Sequence, residues 1–174
     1  MDWIPGAAAI REFLEQGGPV LNAIALTIFL MWILIAERIL FFRTEHRRRF
    51  AREREAWRAR GERRSWHARR IREAMISRLR LSAAGPIPLI KTLVALCPLL
   101  GLLGTVTGMI EVFDVLALAG TGNARSMAEG VSRATIPTMA GMVGALSGVF
   151  AATLLGRKAE REAARLDESL EIGE

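Results

Sequence analysis

Tyrosine is absent from this chain of 174 residues, cysteine occurs once and histidine twice. A single cysteine, Cys97, allows no internal disulfide, and its position inside an apolar run makes it a packing residue. His46 and His67 stand far apart among arginines, which argues against a metal site. Gly104-Thr-Val-Thr-Gly108 lacks the lysine of a phosphate-binding loop, and no arrangement of Ser, His and Asp suggests hydrolysis. No cofactor, no metal and no enzymatic activity are expected.

Charge is missing from three long stretches: Gly17 to Ala36, Thr92 to Ile110 and Ala134 to Gly156, of 20, 19 and 23 residues, contain no Asp, Glu, His, Lys or Arg. At a rise of 1.5 Å per residue, each reaches about the ~30 Å of a bilayer core. The expected fold is an all-α integral membrane protein with three transmembrane helices and helical cytoplasmic extensions. The same absence excludes a titratable relay within this chain. Hydroxyls orient water but hold no proton at ordinary pH, so if protons cross here another subunit brings the carboxylate.

The charge that is present is concentrated. Glu37 to Lys91 carries 17 of the 24 Lys and Arg residues against 6 acidic ones. By the positive-inside rule this segment is cytoplasmic, which puts the N-terminus outside and the C-terminus inside. With Asp2 ahead of any basic residue, a long apolar run and no small-x-small cleavage site, the first span reads as retained and not as a cleaved signal. Arginines near the inner surface attract anionic lipids, at about 1 kcal/mol per residue, and no nucleic acid is needed to account for them.

The chain divides into an outer segment, 1–18, with an interfacial helix whose apolar face is Ile10, Phe13 and Leu14; a first span, 19–42; and a basic cytoplasmic helical hairpin, 43–87, turning at Gly61. A second span, 88–117, an outer loop, 118–126, a third span, 127–157, and a cytoplasmic C-terminal helix, 158–174, complete it. Gly120 to Asn123 reads as a turn, and Ser126 with Glu129 as a capping box opening the third helix. The hairpin is too polar to bury much alone and is expected to pack against copies of itself or the C-terminal helix, where Leu166 and Leu170 lie one turn apart.

Inside the second and third spans sit hydroxyls and glycines. Gly101, Gly104 and Gly108, and Gly141, Gly144 and Gly148, have the spacing that brings helix backbones close, either within one chain or between neighbours. Thr105 lies six residues inside Glu111, and Thr138 five residues inside Arg133, so the two hydroxyls are expected at nearly equal depth in the outer membrane half. Glu111 and Arg133 then either pair at an outer mouth, within or between subunits, or each reach for water. Thr135 and Met109 are secondary candidates beside them. Pro98 and Pro137, lacking an amide hydrogen, are expected to kink their helices.

Pro98-Leu-Leu-Gly-Leu-Leu-Gly-Thr-Val-Thr-Gly108 and Gly130-Val-Ser-Arg-Ala-Thr-Ile-Pro-Thr-Met-Ala-Gly141 closely resemble the ExbB/TolQ/MotA proton-channel family, over roughly Leu96 to Arg157. Three spans and not four favour its ExbB and TolQ branches. The resemblance implies a stator of a Gram-negative inner membrane, in which a homo-pentamer encloses the helices of two ExbD-like chains. Those chains supply a transmembrane aspartate, and proton flow does work on TonB for outer-membrane import; a TolQ-like role in the Tol-Pal motor is the alternative. Family pore threonines map onto Thr105 and Thr138. Where many members carry a glutamate early in the third span this sequence has Arg133, so a mechanism that needs that glutamate does not carry over. A reading outside this family is a membrane-anchored scaffold whose basic hairpin holds a cytoplasmic partner.

Overall fold

The computed structural model describes residues 17–62, 65–119 and 124–169. They form four helices: α1, Gly18–Arg58; α2, Trp66–Ala84; α3, Ile87–Ala119; and α4, Ala124–Ser169. No strand occurs among the described residues. Three of the helices are long and apolar enough to cross a membrane. The protein is therefore an all-α membrane protein, as the charge-free runs require, because a lipid-embedded backbone must satisfy its own hydrogen bonds.

The helices divide into two compact units, one holding the described residues up to Trp32 together with Thr92–Val149, the other Ile33–Lys91 and the chain from Phe150 onward. In the first unit, α1 buries Leu21, Ile24, Thr27 and Met31, spaced by three and four residues along one stripe. α3 answers with Val94 and Cys97, followed by the glycines Gly101 and Gly104. Leu26, Phe29, Leu99, Leu102, Val143 and Leu146 point outward, each more than half exposed. This inverted pattern suits lipid, where helices associate through close packing of small residues and not through exclusion of water.

In the second unit the basic hairpin does have a small core, made by Trp57, Ala68, Met75 and Leu79 with Ile71 and Ile76 against it. Ser65 caps α2, its hydroxyl accepting from the amide of Ala68 at 3.2 Å. At the far end of α2 the carbonyls of Ser82 and Ala83 accept from the Arg38 guanidinium, which is 2% exposed and lies 4.3 Å from the Phe41 ring centroid and 4.9 Å from that of Phe42. Gly85, at φ +40°, leaves room for that side chain, since a Cβ there would come within 2.7 Å of Arg38 Nη1. Arg72 reaches Asp167 of α4 at 2.6 Å, so the hairpin does engage the C-terminal helix.

The break between the hairpin arms falls at residues 59–62, around Gly61, and α1 is one continuous helix through the first span and the outgoing arm, with no breaker between them. α4 begins at Ala124, two residues before the expected cap at Ser126, so Ser126 belongs to the helix and not to its boundary. Pro98 and Pro137 lie inside the continuous helices α3 and α4, which a kink at either position does not interrupt. The interfacial helix at Ile10–Leu14, the turn at Gly120–Asn123 and the side chains of Ser126, Leu166 and Leu170 lie outside the described residues.

Candidate functional site

The glycines of α3 and α4 are used against each other within one chain. A Cβ added at Gly101 would lie 3.0 Å from Thr138 Cα, one at Gly108 would lie 2.7 Å from Ala134 Cβ, and one at Gly141 would lie 2.5 Å from the Cys97 carbonyl oxygen. Gly104 faces Pro137, whose Cγ would be 2.8 Å away. As numbers rise on α3 they fall on α4, so the two helices are antiparallel and their backbones nearly touch. Small side chains are what permit that approach. Pro137 fills the notch opposite Gly104 and is buried there, a packing role beyond any effect on its own helix.

α1 covers one side of this pair. Val20 reaches the Gly104 position, Ile28 the Gly144 position at 2.7 Å, and Met31 Sδ and Val94 the Gly148 position. With about 100° between successive residues, Thr105 stands roughly 60° around α3 from the glycine face in one sense and Thr107 roughly 100° in the other. Thr138 is displaced on α4 in the same sense as Thr105. Because antiparallel helices turn in opposite senses seen from one end, Thr105 and Thr138 emerge on a common side, and Gly144 and Thr107 on the side α1 occupies. Met109 and Thr135 fall with Thr105 and Thr138 by the same count. Four residues singled out from sequence thus share the side of the α3–α4 pair opposite α1.

Their hydroxyls are engaged differently. Thr138 Oγ1 donates across the helix pair to the Gly101 carbonyl at 2.8 Å. Thr105 Oγ1 donates to Leu102 O on its own helix at 2.7 Å, and Thr135 Oγ1 to Ser132 O at 2.7 Å. Each donor is spent on backbone, and each oxygen keeps lone pairs that accept from water or a partner's acid. Thr138 lies against Gly101, so along the helix pair it is offset by four residues, about 6 Å, from Thr105.

The outer charges go elsewhere. Arg133 pairs with Glu129 one turn away on its own helix, at 2.7 Å, and not with Glu111. An i,i+4 pair on an exposed helix face forms without bringing two helices together, which is why it is preferred within the chain. Glu111 and Arg133 both line a cleft of about 480 Å³ together with Gly17, Pro19, Val20 and Thr107, so they belong to the α1 side and are separated from the threonines. Among the described residues no group of His, Cys, Asp and Glu is placed to hold a metal ion.

A family model for the MotA/TolQ/ExbB proton channel family matches residues 42–168. The chain belongs to that family. Its members are channel and stator proteins and not enzymes. Biopolymer transport protein exbB1 of Vibrio cholerae serotype O1 is 43% identical over 74 residues, 42% of this chain and 32% of that protein. ExbB-like 1 of Synechocystis sp. is 49% identical over 61 residues, 33% of this chain and 24% of its own length. The matches thus span about a quarter to a third of these relatives. Within a MotA/TolQ/ExbB member the side bearing Thr105 and Thr138 is the candidate site.

Residues that sequence reasoning missed are Arg38 and Thr107. Arg38 had a visible signal: an arginine at the end of an apolar run, one helical turn before Phe41-Phe42, with a Gly85-Pro86 turn downstream to receive it. Thr107 is told from Thr105 only by helical phase relative to α1, which no spacing in α3 alone reveals.

Proposed function

We propose that this protein is an ExbB-like stator subunit of a bacterial inner membrane, with its N-terminus in the periplasm and its C-terminus in the cytoplasm. In this reading five copies surround the helices of an ExbD-like partner. The side of the α3–α4 pair bearing Thr105, Thr138, Thr135 and Met109 faces that partner, and α1 lies outward. The partner supplies a transmembrane aspartate, and proton passage past it drives TonB-linked import at the outer membrane. Anionic lipids meet the Arg-rich hairpin.

The observation that carries the reading is the sidedness of the helix pair. Thr105, Thr135 and Thr138 stand on the side α1 leaves uncovered, while no Asp, Glu, His, Lys or Arg lies in the charge-free runs. A surface of that kind provides acceptor oxygens for a hydrated proton or a protonated carboxyl but no acid of its own, so it requires a partner that brings one. The ExbB names of the Vibrio and Synechocystis relatives favour a TonB-type assembly over the Tol-Pal motor.

Native mass spectrometry of the detergent-extracted protein, alone and coexpressed with an ExbD-like chain encoded beside it, tests the reading. A pentamer that takes up two partner chains is the expected result. A monomer or dimer that ignores the partner removes the enclosed pathway. Coexpression with a TolR-like chain in parallel separates the TonB-type from the Tol-type assembly by which partner is retained.

A further inference from the structure

The charge-free runs hold a single carboxamide, Asn22. Hydroxyls in those runs satisfy themselves: Thr27, Thr105, Thr107 and Ser147 each donate to a carbonyl of their own helix at 2.7–3.0 Å. A carboxamide cannot do the same, because its oxygen needs a donor and the amides of a helix interior are already used. Asn22 is exposed and, among the described residues, its side chain forms no hydrogen bond.

Depth makes that vacancy costly. Val20 stands against the Gly104 position, which faces Pro137, and Met31 and Val94 meet at the Gly148 position, so α1 runs antiparallel to α3 and parallel to α4. Asn22, two residues past Val20, is therefore level with about Leu102 and Met139. Those positions lie eight residues inside Ile110 and five inside Ala134, the ends of the charge-free runs nearest the α3–α4 connection, or ~12 and ~7.5 Å into the hydrocarbon. At such depth polar side chains find their partners on other helices.

Asn22 also belongs to an uncovered stripe. At about 100° per residue, Asn22, Leu26, Phe29 and Ile33 fall within about 60° of one another, nearly opposite the Leu21, Ile24 and Met31 that α1 buries. Leu26, Phe29 and Ile33 are 58%, 63% and 47% exposed. Steps of four, three and four residues are the spacing by which one helix packs along another of its kind, and a lone Asn in such a stripe fixes the register.

We infer that this stripe pairs with the same stripe of a second copy, the two Asn22 carboxamides hydrogen-bonding to each other. Copies of one chain insert with one orientation, so their first helices are parallel and carry Asn22 at equal depth. A carboxamide both donates and accepts, so two of them satisfy one another, whereas a lipid tail does neither. With α1 on the outside of the stator, the contact joins two assemblies back to back and leaves the threonine side free. It needs no other chain and stands whether or not the stator reading does.

Full-length protein in native membranes, carrying Cys97→Ala, is the material for the test. Phe29→Cys puts a thiol on the stripe, and Trp32→Cys, at a residue 46% exposed, puts one about 90° from its centre at similar depth. After mild oxidation, Phe29→Cys is expected to give disulfide-linked pairs of this chain and Trp32→Cys few. Adding Asn22→Leu to Phe29→Cys is expected to lower the yield about three-fold or more, and Asn22→Gln, which keeps the carboxamide, to retain most of it. Equal yields at positions 29 and 32, or a yield that Asn22→Leu does not change, overturn the inference in favour of a carboxamide met by water or lipid headgroups. A photo-reactive leucine analogue at position 26 of the otherwise unaltered chain repeats the measurement without new cysteines, and its adducts must have twice the chain mass and map to α1. Adducts on a different protein overturn the inference in favour of another partner helix.

Discussion

Replacing Thr138 by valine removes one hydroxyl while keeping shape and β-branching, so its effect isolates the bond from Thr138 Oγ1 to the Gly101 carbonyl. That bond joins α3 to α4 at a point where their backbones nearly touch, so no side chain can move in to replace it. Side-chain hydrogen bonds between membrane helices average about 0.6 kcal/mol and reach about 1.7 kcal/mol. Thr138→Val is therefore expected to weaken the fold by about 0.6–1.7 kcal/mol, a factor of ~3 to ~18 in the folded population. Thr105→Val removes only a bond to its own helix and is expected to cost less than about 0.5 kcal/mol. Unfolding in graded mixtures of mild detergent and dodecyl sulfate measures both, and Thr138→Ser should recover most of the loss. Equal stability losses for the two valine variants would refute the argument that only Thr138 bridges the helices. In proteoliposomes holding the partner chain, the double variant is expected to assemble yet lose most proton flux, and undiminished flux would remove Thr105 and Thr138 from the pathway.

Other positions make separate demands. Gly141→Ala places a Cβ 2.5 Å from the Cys97 carbonyl oxygen, backbone that cannot yield, and is expected to cost about 1–3 kcal/mol and reduce the yield of folded protein on size-exclusion chromatography. Arg38→Met keeps the stem but removes the donors to Ser82 and Ala83, with an expected loss of about 2 kcal/mol and faster hydrogen exchange in the last turn of α2. Arg133→Gln breaks only an exposed i,i+4 pair, 57% and 62% accessible at its two ends, and is expected to change thermal stability by less than about 0.5 kcal/mol.

The three spans were legible because lipid tolerates no alternative: a charge-free run of ~20 residues leaves a helix as the only spanning structure available to a single segment. The glycine spacing of Gly104 and Gly108 announced a close approach without saying to what, since the same spacing serves a neighbour in the chain or in another subunit. The structure assigns it to Pro137 and Ala134 of the same chain. Arg133 shows the limit of matching depths. Equal distance from the membrane edge left Arg133 and Glu111 either paired, within or between subunits, or reaching for water; within the chain Arg133 takes Glu129, one turn away on the same helix, because depth says nothing about azimuth. Arg38 was lost among the other basic residues, although its burial makes it unlike them.

Composition and charge-free length by themselves determined that this protein is helical and membrane-embedded and that no carboxylate lies within its three charge-free runs, because those properties depend only on what each residue costs in lipid. They also picked out Thr105 and Thr138 as hydroxyls that need partners. Which partners they have, and which side of the bundle they occupy, depended on how α1 packs against the α3–α4 pair. Rotating a helix about its axis changes no residue's depth and no residue's transfer cost, so that choice is made by the interlocking of Gly101, Gly104 and Gly141 with Thr138, Pro137 and Cys97, and only the tertiary structure contains it.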